Sequence, residues 1–407
     1  MKNVLSRADS LARHSDSAEN YTRTYLTPAH QAAARQIADW MVEAGMAVRV
    51  DAVGSVIGRY EAKTRDGPTL LMGSHFDSVR NGGKYDGVLG ILVPIACVAE
   101  LNRRAERLAV AVEVAAFADE EGARFQTSFL ASRAMLSGAA GFAPLLERRD
   151  ADGITLAAAM RSAGLDPARV DDARIDPRTL AAFVEVHIEQ GPVLLSRGAP
   201  LGVVTSIAGG SRHLVTVRGA AGHAGTVPMA LRHDALAAAA EMVLAVEERA
   251  KGEGVVGTVG ILKVRDGTGN VIPGEVEFTV DIRAPRDALR LRTEEAVFAE
   301  FDAIGLRRGV AVEKSKRHEV QAAPCAPWLQ ERLAASAQRM GCQPFLMPSG
   351  AGHDAMIFAE VADVGMLFVR CGAGGVSHNP AETVTAEDVS LAAATLLDFL
   401  RHFEPKR

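Results

Sequence analysis

Short apolar runs, each ending in a polar loop that contains glycine, recur along the first half of the chain. Residues 70–72 and 108–117 are two such runs, and the second stops abruptly at Asp119. Runs of this kind between turn residues predict buried β-strands. Residues 88–103 lie between them and are apolar over the length of a helix. The alternation of strand and helix predicts an α/β domain built on a mostly parallel sheet.

The pattern of apolar and polar positions changes near residue 208. From there we predict a strand, a long helix, two strands, a second helix and a last strand, at residues 214–218, 233–251, 255–264, 276–283, up to 304, and 310–314. This order of elements is typical of a compact α+β sandwich. We therefore predict that an α+β domain at 208–319 is inserted into a first domain formed by 1–207 and 320–407.

Length, charge and cysteine content narrow the class of protein. With 407 residues the chain exceeds the size at which one hydrophobic core keeps growing, so two domains are expected. A net charge of −5 argues against nucleic-acid or anionic-membrane binding. The apolar runs fall short of the about 20 residues of a membrane span, and the N-terminus is too polar for a signal peptide. Four scattered cysteines predict free buried thiols in a reducing cytoplasm.

Histidine and carboxylate side chains stand at or just beyond several predicted strand ends, at His75, Asp86, Glu120, Glu121, His187 and His378. Imidazole and carboxylate together suit Zn²⁺, Mn²⁺, Co²⁺ or Ni²⁺ better than Mg²⁺ or Ca²⁺. Two metals held close together need a bridging carboxylate, and hydrolysis by metal-activated water needs a further carboxylate as base. The adjacent Glu120 and Glu121 can supply one ligand and one base.

Each of these residues also has a purely structural interpretation. Asp86 precedes a helix and could be its N-cap, which is the commoner role for such an aspartate. Glu120 and Glu121 could lie in a solvated loop. His187 could lie on the polar face of its strand, and His378 could be a loop histidine. Singly, most of these residues favour the structural interpretation. Together, a shared metal site explains them better.

The motifs that carry these residues resemble those of one family. They are GSHFDSVRNGGKYDGVLG, FADEEGARF, HIEQGP, GHAGTVPM, NVIPGEVEFTVDIR, PSGAGHDA and FVRCGAGGVSHNPAE. In this order, over nearly the whole chain, they resemble the di-metal ureido-hydrolases, which include allantoate amidohydrolases and N-carbamoyl-L-amino-acid hydrolases. That family lies within the clan of di-zinc aminoacylases and exopeptidases.

The resemblance implies two divalent ions per subunit, Mn²⁺ or Zn²⁺, with Co²⁺ or Ni²⁺ as alternatives. It implies that the metal ligands are His75, Asp86, Glu121, His187 and His378. Asp86 would bridge the ions. His75 and His187 would bind one of them, and Glu121 and His378 would bind the other. Glu120 would be the general base, and Asp77 would hold the His75 ring.

The resemblance also implies substrate contacts. Gln190 would contact the ureido group, and His223 would polarise the scissile carbonyl and stabilise its oxyanion. Asn270 and Arg283 would bind the substrate carboxylate, since arginine offers a bidentate fork. His353 would line the site. Two of these assignments have structural alternatives: the histidine of GHAGT could be a simple loop histidine, and the arginine could lie on the solvent face of its strand.

The inserted domain is, by the same resemblance, a lid and dimerisation module. We therefore expect a homodimer in which His223 and Asn270 reach the active site of the partner subunit. The implied reaction is hydrolysis of a ureido C–N bond in a small carboxylate, with release of NH₃ and CO₂.

The form of several motifs favours allantoate as substrate over N-carbamoyl-L-amino acids or β-ureidopropionate. An aminoacylase or exopeptidase would share the metal residues but would not need Gln190 with Asn270 and Arg283 in this form. A non-catalytic binding protein on the same scaffold would be expected to have lost Glu120 or a ligand, and none is lost here.

Overall fold

The computed structural model describes residues 3–64 and 67–406. The chain forms two compact units. Unit 1 consists of Met1–Thr205, Cys325–Met347 and His353–Arg407, and unit 2 consists of Ser206–Pro324 and Pro348–Gly352.

The helices in the described residues are α1 Val4–Leu11, α2 Pro28–Glu43, α3 Leu89–Arg103, α4 Leu130–Phe142, α5 Leu156–Ser162, α6 Val193–Arg197, α7 Ala235–Glu253, α8 Asp287–Arg308, α9 Pro327–Arg339, α10 Ala355–Phe358 and α11 Ala386–Arg401. The strands are β1 Ala47–Val50, β2 Val56–Tyr60, β3 Thr69–His75, β4 Ala111–Phe117, β5 Leu180–Ile188, β6 Leu201–Ile207, β7 Gly209–Arg218, β8 Gly222–His223, β9 Val256–Thr258, β10 Leu262–Val264, β11 Val271–Ile272, β12 Glu275–Ala284, β13 Ala311–Val320, β14 Ala323–Pro324, β15 Phe345–Ser349 and β16 Val364–Val369. Short 3₁₀ turns occupy Ala143–Leu145, Pro167–Ala173, Pro177–Thr179, Met229–Leu231 and Ala373–Gly375.

The larger sheet has the strand order β1-β2-β4-β3-β5-β16-β6-β14, and β15 pairs with β6. Its centre is parallel, because β3 runs parallel to β4 and to β5, and β5 runs parallel to β16. The outer strands β1, β2, β6 and β14 pair antiparallel. The predicted α/β architecture with a mostly parallel central sheet is confirmed.

The central strands are buried on both faces, as parallel strands under helices are. Every residue of β3 is buried, and α3 packs against β3 and β5 with its apolar residues inward. On the core side Phe183 of β5 stacks on Phe358 of α10 with ring centroids 4.4 Å apart. This rigid centre supports the loops that follow the strands.

The bounds of the first long helix, α2, follow from local sequence signals. The hydroxyl of Thr27 accepts a hydrogen bond from the backbone N–H of His30, and Pro28 occupies the first turn. The helix stops at Glu43, and Gly45 follows with a φ of +86°. Capping side chain, proline and glycine therefore set the bounds of α2.

Unit 2 contains an antiparallel sheet with the order β10-β12-β7-β13, and β9 also pairs with β12. Helices α7 and α8 pack on it around a core that includes Val217, Met242, Phe278 and Phe301. Strand β12 alternates strictly between partly exposed and buried residues, as a strand with one covered face does.

The single strand predicted at 255–264 is wrong, because β9 and β10 are separate strands. Both pair with β12, β9 opposite residues 281–283 and β10 opposite residues 276–278. Between them the register against β12 shifts by one residue, from the pair Thr258–Asp281 to the pair Leu262–Phe278. In this stretch the backbone N–H of Ile261 donates to the side-chain oxygen of Thr279, and the carbonyl of Ile261 accepts from the backbone N–H of Thr279. This shift in register separates β9 from β10.

All four cysteines are buried and free, which agrees with the predicted free thiols. Across the part of the chain that the structure describes, no helix combines the length and apolarity needed to cross a bilayer.

Asp234 caps α7, one of the two helices that cover the unit 2 core, since its carboxylate accepts the backbone N–H groups of Leu236 and Ala237, each at 3.0 Å. We expect Asp234→Ala to lower the free energy of unfolding by about 1 kcal/mol, measured by urea denaturation. Glu248→Ala, at an exposed position of the same helix, is the control. Equal stability of the two variants would show that the cap contributes nothing.

Candidate metal centre

Four neighbouring parallel strands bring the predicted ligands to one edge of the sheet. His75 ends β3, the Asp119–Glu121 segment follows β4, His187 is the second-last residue of β5, and His378 lies in the loop after β16. Because β4, β3, β5 and β16 are adjacent and parallel, their carboxyl ends meet. Residues far apart in sequence are thereby placed together in unit 1.

Asp86 lies at the centre of this group. Its Oδ1 atom is 3.3 Å from Nε2 of His187 and 3.8 Å from Nε2 of His75. Its Oδ2 atom is 3.2 Å from Nε2 of His378, which in turn is 3.4 Å from Oε1 of Glu121. The two oxygens of one carboxylate therefore face two separate groups of candidate ligands.

The loop that carries Asp86 needs glycine next to it. Gly87 has a φ of +67°, and a Cβ atom there would lie 2.4 Å from the carbonyl oxygen of His75 and 2.6 Å from its ring. The alternative interpretation of Asp86 as a helix N-cap is wrong, because Val88 is the N-cap of α3 and no side chain caps that helix. The aspartate instead faces the histidines.

Two histidine rings are held with Nε2 toward Asp86. Nδ1 of His187 donates to the backbone oxygen of Ile188 at 2.8 Å, and its Nε2 accepts from the backbone N–H of Gly87. Nδ1 of His75 lies 3.2 Å from the backbone oxygen of Asp77 and 3.4 Å from its carboxylate. A proton on Nδ1 places the ring's lone pair on Nε2, which is the atom that would bind a cation.

The spacing of these atoms fits divalent cations. The candidate ligand atoms of His75, Asp86 and His187 lie within 4.8 Å of one another, and so do those of Asp86, Glu121 and His378. Two ligand atoms that each lie about 2.1 Å from one tetrahedral ion are about 3.4 Å apart. The donor set of imidazole nitrogen and carboxylate oxygen suits Zn²⁺, Mn²⁺, Co²⁺ and Ni²⁺.

Asp77 organises the loop after β4. Its carboxylate accepts the backbone N–H groups of Glu120 and Glu121, at 3.0 and 3.2 Å, and it also contacts the His75 ring. Glu120 is only 8% exposed, so the loop that carries the two glutamates is not a solvated one. One buried carboxylate thus fixes both glutamates and one imidazole.

The electrostatics of the cluster favour added positive charge. Burial raises the pKa of Glu120 well above its usual value and that of Glu121 to about 7, and neighbouring carboxylates add to both shifts. Burial lowers the pKa of His187 to about 4. The hydrogen bond with Asp86 raises the pKa of His378 to about 9. Carboxylates that repel one another in a buried site are stabilised by cations placed among them.

Gln190 lies against the same carboxylate. Its Nε2 atom donates to both oxygens of Asp86, at 3.1 and 3.0 Å, and its backbone has a φ of +58°. Its buried Oε1 atom accepts no hydrogen bond from any group in the described part of the chain. The side chain therefore offers one acceptor at the edge of the cluster.

His353 is buried, with 2% of its surface exposed. Its ring packs edge-on against His187 at 4.5 Å, and a third group of possible ligand atoms consists of these two rings and Glu185. The carboxylate of Glu185 accepts from Ser74 Oγ at 2.7 Å and from the backbone of Ala355. His353 is thus a neighbour of a candidate ligand, and Glu185 is a buried acid that the sequence analysis did not single out.

Three predicted substrate residues lie in unit 2. His223 and Asn270 are both exposed and lie beside each other, because β8 pairs with β11 and the backbone of Ala224 donates to Asn270 O at 2.9 Å. Nδ1 of His223 accepts from the backbone N–H of Gly225. In the neutral ring the proton is therefore on Nε2, which makes that atom a hydrogen-bond donor.

Arg283 lies on the partly exposed face of β12, as its alternation predicts. Its guanidinium binds Asp281, with Nε 3.0 Å from Oδ1, and Nη1 donates to the carbonyl of Gly350 at 2.9 Å. The structure therefore gives this arginine fixed partners, and it is neither buried nor free in solvent.

A second buried acid outside the predicted set is Glu382, which contacts the backbone of the Asp86 loop. It belongs to the segment SHNPAE, which also contains His378. Its place in a motif with a candidate ligand was the one sequence signal of a role in the site.

Comparison with known proteins agrees with this site. Residues 69–402 match the model of peptidase family M20/M25/M40. The chain is 43% identical to N-carbamoyl-L-amino acid amidohydrolase of Geobacillus stearothermophilus, over 92% of this chain and 91% of that protein. It is 40% identical to a probable allantoate deiminase of Oryza sativa subsp. japonica, over 97% and 87% of the two chains.

Among solved structures, an amidase of the hydantoinase/carbamoylase family from Burkholderia multivorans has a TM-score of 0.92 and 32% identity, covering 100% of this chain and 98% of that one. The family resemblance drawn from the motifs is confirmed. The chain belongs to peptidase family M20/M25/M40 and, within it, to the amidohydrolases of the allantoate deiminase and N-carbamoyl-L-amino acid amidohydrolase group, which hydrolyse carbon–nitrogen bonds.

Proposed function

We propose that this protein is a di-metal amidohydrolase that cleaves the ureido C–N bond of allantoate and yields ureidoglycine, NH₃ and CO₂. The observation that carries the proposal is the position of Asp86, whose two oxygens face two groups of candidate ligands. Relatives named for allantoate and for N-carbamoyl-L-amino acids both support hydrolysis of a ureido group.

The proposed ligands are the five that the family resemblance implies. His75 and His187 would hold one ion, Glu121 and His378 would hold the other, and Asp86 would be shared between the two. Two divalent cations, when bound there, polarise the ureido carbonyl and lower the pKa of water to near neutrality.

The protein residues then have separate roles. Glu120 accepts a proton from the water that attacks the ureido carbon and returns it to the leaving nitrogen. Asp77 keeps the His75 ring and the Glu120 backbone in place through the contacts described above. Burial of Glu120 supports this role, since burial raises the pKa of its carboxyl above the usual value, and a raised pKa makes the carboxylate a stronger proton acceptor.

The substrate contacts that the family resemblance implies have the following proposed roles. Oε1 of Gln190 would accept an N–H of the ureido group, because it is a buried acceptor without a donor in the described chain. Arg283 and Asn270 would bind the substrate carboxylate, and Nε2–H of His223 would donate to the developing oxyanion. His353 would line the site from behind His187.

The quaternary structure is a proposal of the same kind. A homodimer formed through unit 2 would let His223 and Asn270 complete the site of the partner subunit. Both residues are exposed, and so is the nearby Met229, with 77% of its surface accessible. This exposure supports the proposal that a partner subunit covers this part of unit 2.

An N-carbamoyl-L-amino-acid hydrolase is the second candidate, because the relative from Geobacillus stearothermophilus is 43% identical to this chain. The two substrates share a ureido group and a carboxylate and differ in the rest of the molecule. Allantoate carries a second ureido group, so it needs hydrogen-bonding groups where a carbamoyl amino acid needs an apolar pocket.

Substrate preference tests the finer assignment. With Mn²⁺ added, we expect kcat/KM for ammonia release from allantoate to exceed that for N-carbamoyl-L-amino acids by at least about tenfold, since polar pockets discriminate strongly. β-Ureidopropionate and a dipeptide serve as further substrates. The reverse order would assign the protein to the carbamoylases, and dipeptide hydrolysis as the main activity would refute ureido hydrolysis altogether.

The base is tested by Glu120→Gln. Because the amide cannot accept the proton, we expect kcat to fall by about 10²–10⁴-fold while elemental analysis finds unchanged metal content. Glu147→Gln, at an exposed position, should behave as the wild type. Wild-type turnover in the Glu120 variant would remove this residue from the mechanism.

The carboxylate contact is tested by Arg283→Ala. Loss of a charged hydrogen-bond donor to the substrate should raise KM by about 10–100-fold with a smaller change in kcat. Arg212→Ala is a matched control, since Arg212 binds the same Asp281 at 2.8 Å but has no proposed substrate role. If both variants changed KM equally, the effect would come from Asp281 and the strand rather than from the substrate.

A further inference from the structure

A buried carboxylate that the proposed mechanism does not use lies behind the candidate metal centre. Glu382 is 2% exposed and stands in the loop after β16, a few residues beyond His378. Burial of a carboxylate costs free energy unless hydrogen bonds compensate it. Its partners therefore indicate what it does.

Both oxygens of Glu382 are engaged with parts of the candidate centre. Oε1 accepts the backbone N–H groups of Tyr85 and Asp86, at 3.0 and 3.2 Å. Oε2 accepts the hydroxyl of Ser377 at 2.7 Å, and that hydroxyl is 3.3 Å from Oδ2 of Asp86. The carboxylate thus joins the loop that carries Asp86 to the loop that carries His378.

A glycine in the first loop makes room for this carboxylate. A Cβ atom at Gly83 would lie 2.1 Å from the carboxyl carbon of Glu382 and 2.2 and 2.4 Å from its oxygens. Any side chain at this position would displace the carboxylate. The second glycine of the segment NGGKYDG is therefore explained by Glu382 and not by backbone conformation.

We infer that Glu382 is a positioning residue that clamps the Asp86 loop to the His378 loop and so sets the distance between these two side chains. The inference rests on the proposed metal centre, in which both are ligands. Glu382 touches neither the substrate nor the reacting atoms, and it acts through the backbone of Asp86 and through Ser377.

The two halves of the centre depend on this clamp to different extents. His75 and His187 belong to buried strands at the centre of the sheet. The side chain of His378 is 48% exposed, and its backbone lies in a loop with a φ of +52°. Loss of the clamp should therefore weaken metal binding on the His378 side first and leave the strand side bound.

The test is a metal-binding titration on the full-length protein with Mn²⁺ and, separately, Zn²⁺. The metal content after equilibrium dialysis gives the affinity of each site. We expect two ions per wild-type chain, and we expect Glu382→Ala to lose about 10–100-fold in affinity for one of them, as supporting residues of metal ligands do. Glu382→Gln should recover part of the loss, because its amide oxygen can still accept both backbone N–H groups.

Gly83→Ala is the decisive second variant. It keeps the carboxylate and should reproduce the Glu382→Ala defect, because the methyl group occupies the position of the carboxyl group. Glu387→Ala, which removes an exposed carboxylate nearby in sequence, is the control and should bind metal as the wild type does. If Glu382→Ala fails to fold, Glu382→Gln and Ser377→Ala carry the test, and both should weaken the same site.

The outcomes separate the inference from the proposed function. Wild-type protein that binds neither metal would refute the metal centre itself. Wild-type protein that binds two ions, with Glu382→Ala and Gly83→Ala binding both with unchanged affinity, would refute only the clamp. A lowered Tm of the metal-free variants together with unchanged affinities would show a merely structural role and would also overturn the inference.

Discussion

The candidate metal centre of unit 1 is built around one shared carboxylate. Asp86 stands between His187 and His378 with a different oxygen toward each ring. Such an arrangement gathers negative charge in a buried place and is stable only if positive charge or donated hydrogen bonds compensate it. The N–H groups of Gln190 and the orientation of the rings supply part of that compensation.

The sheet provides the rigidity that this arrangement requires. The imidazoles on β3 and β5 are fixed by the backbone hydrogen bonds of the sheet. The acidic ligands lie in loops, which other contacts must hold in place. Asp77 holds one of these loops through backbone N–H groups, and Glu382 holds another in the same way. Buried carboxylates paired with main-chain donors are thus a repeated solution in this centre.

Sequence reasoning reached the fold class and the residues that meet at the sheet edge, because strand ends and motifs are local signals. It missed the role of Glu382, whose partners are backbone groups far away in the chain, and no residue type signals a main-chain donor. It also joined β9 and β10 into one strand, because the register shift that separates them arises only in their pairing with β12. Contacts of this kind exist only after the chain has folded.

The strand order has a consequence for synthesis. Strand β16 lies between β5 and β6, although nearly all of unit 2 is translated between β6 and β16. While the ribosome makes that stretch, for about 10 s or longer at ordinary elongation rates, β5 has an unpaired inner edge of the type that promotes aggregation. The nascent protein therefore passes through a stage with an incomplete sheet, in which chaperones have a defined segment to shield.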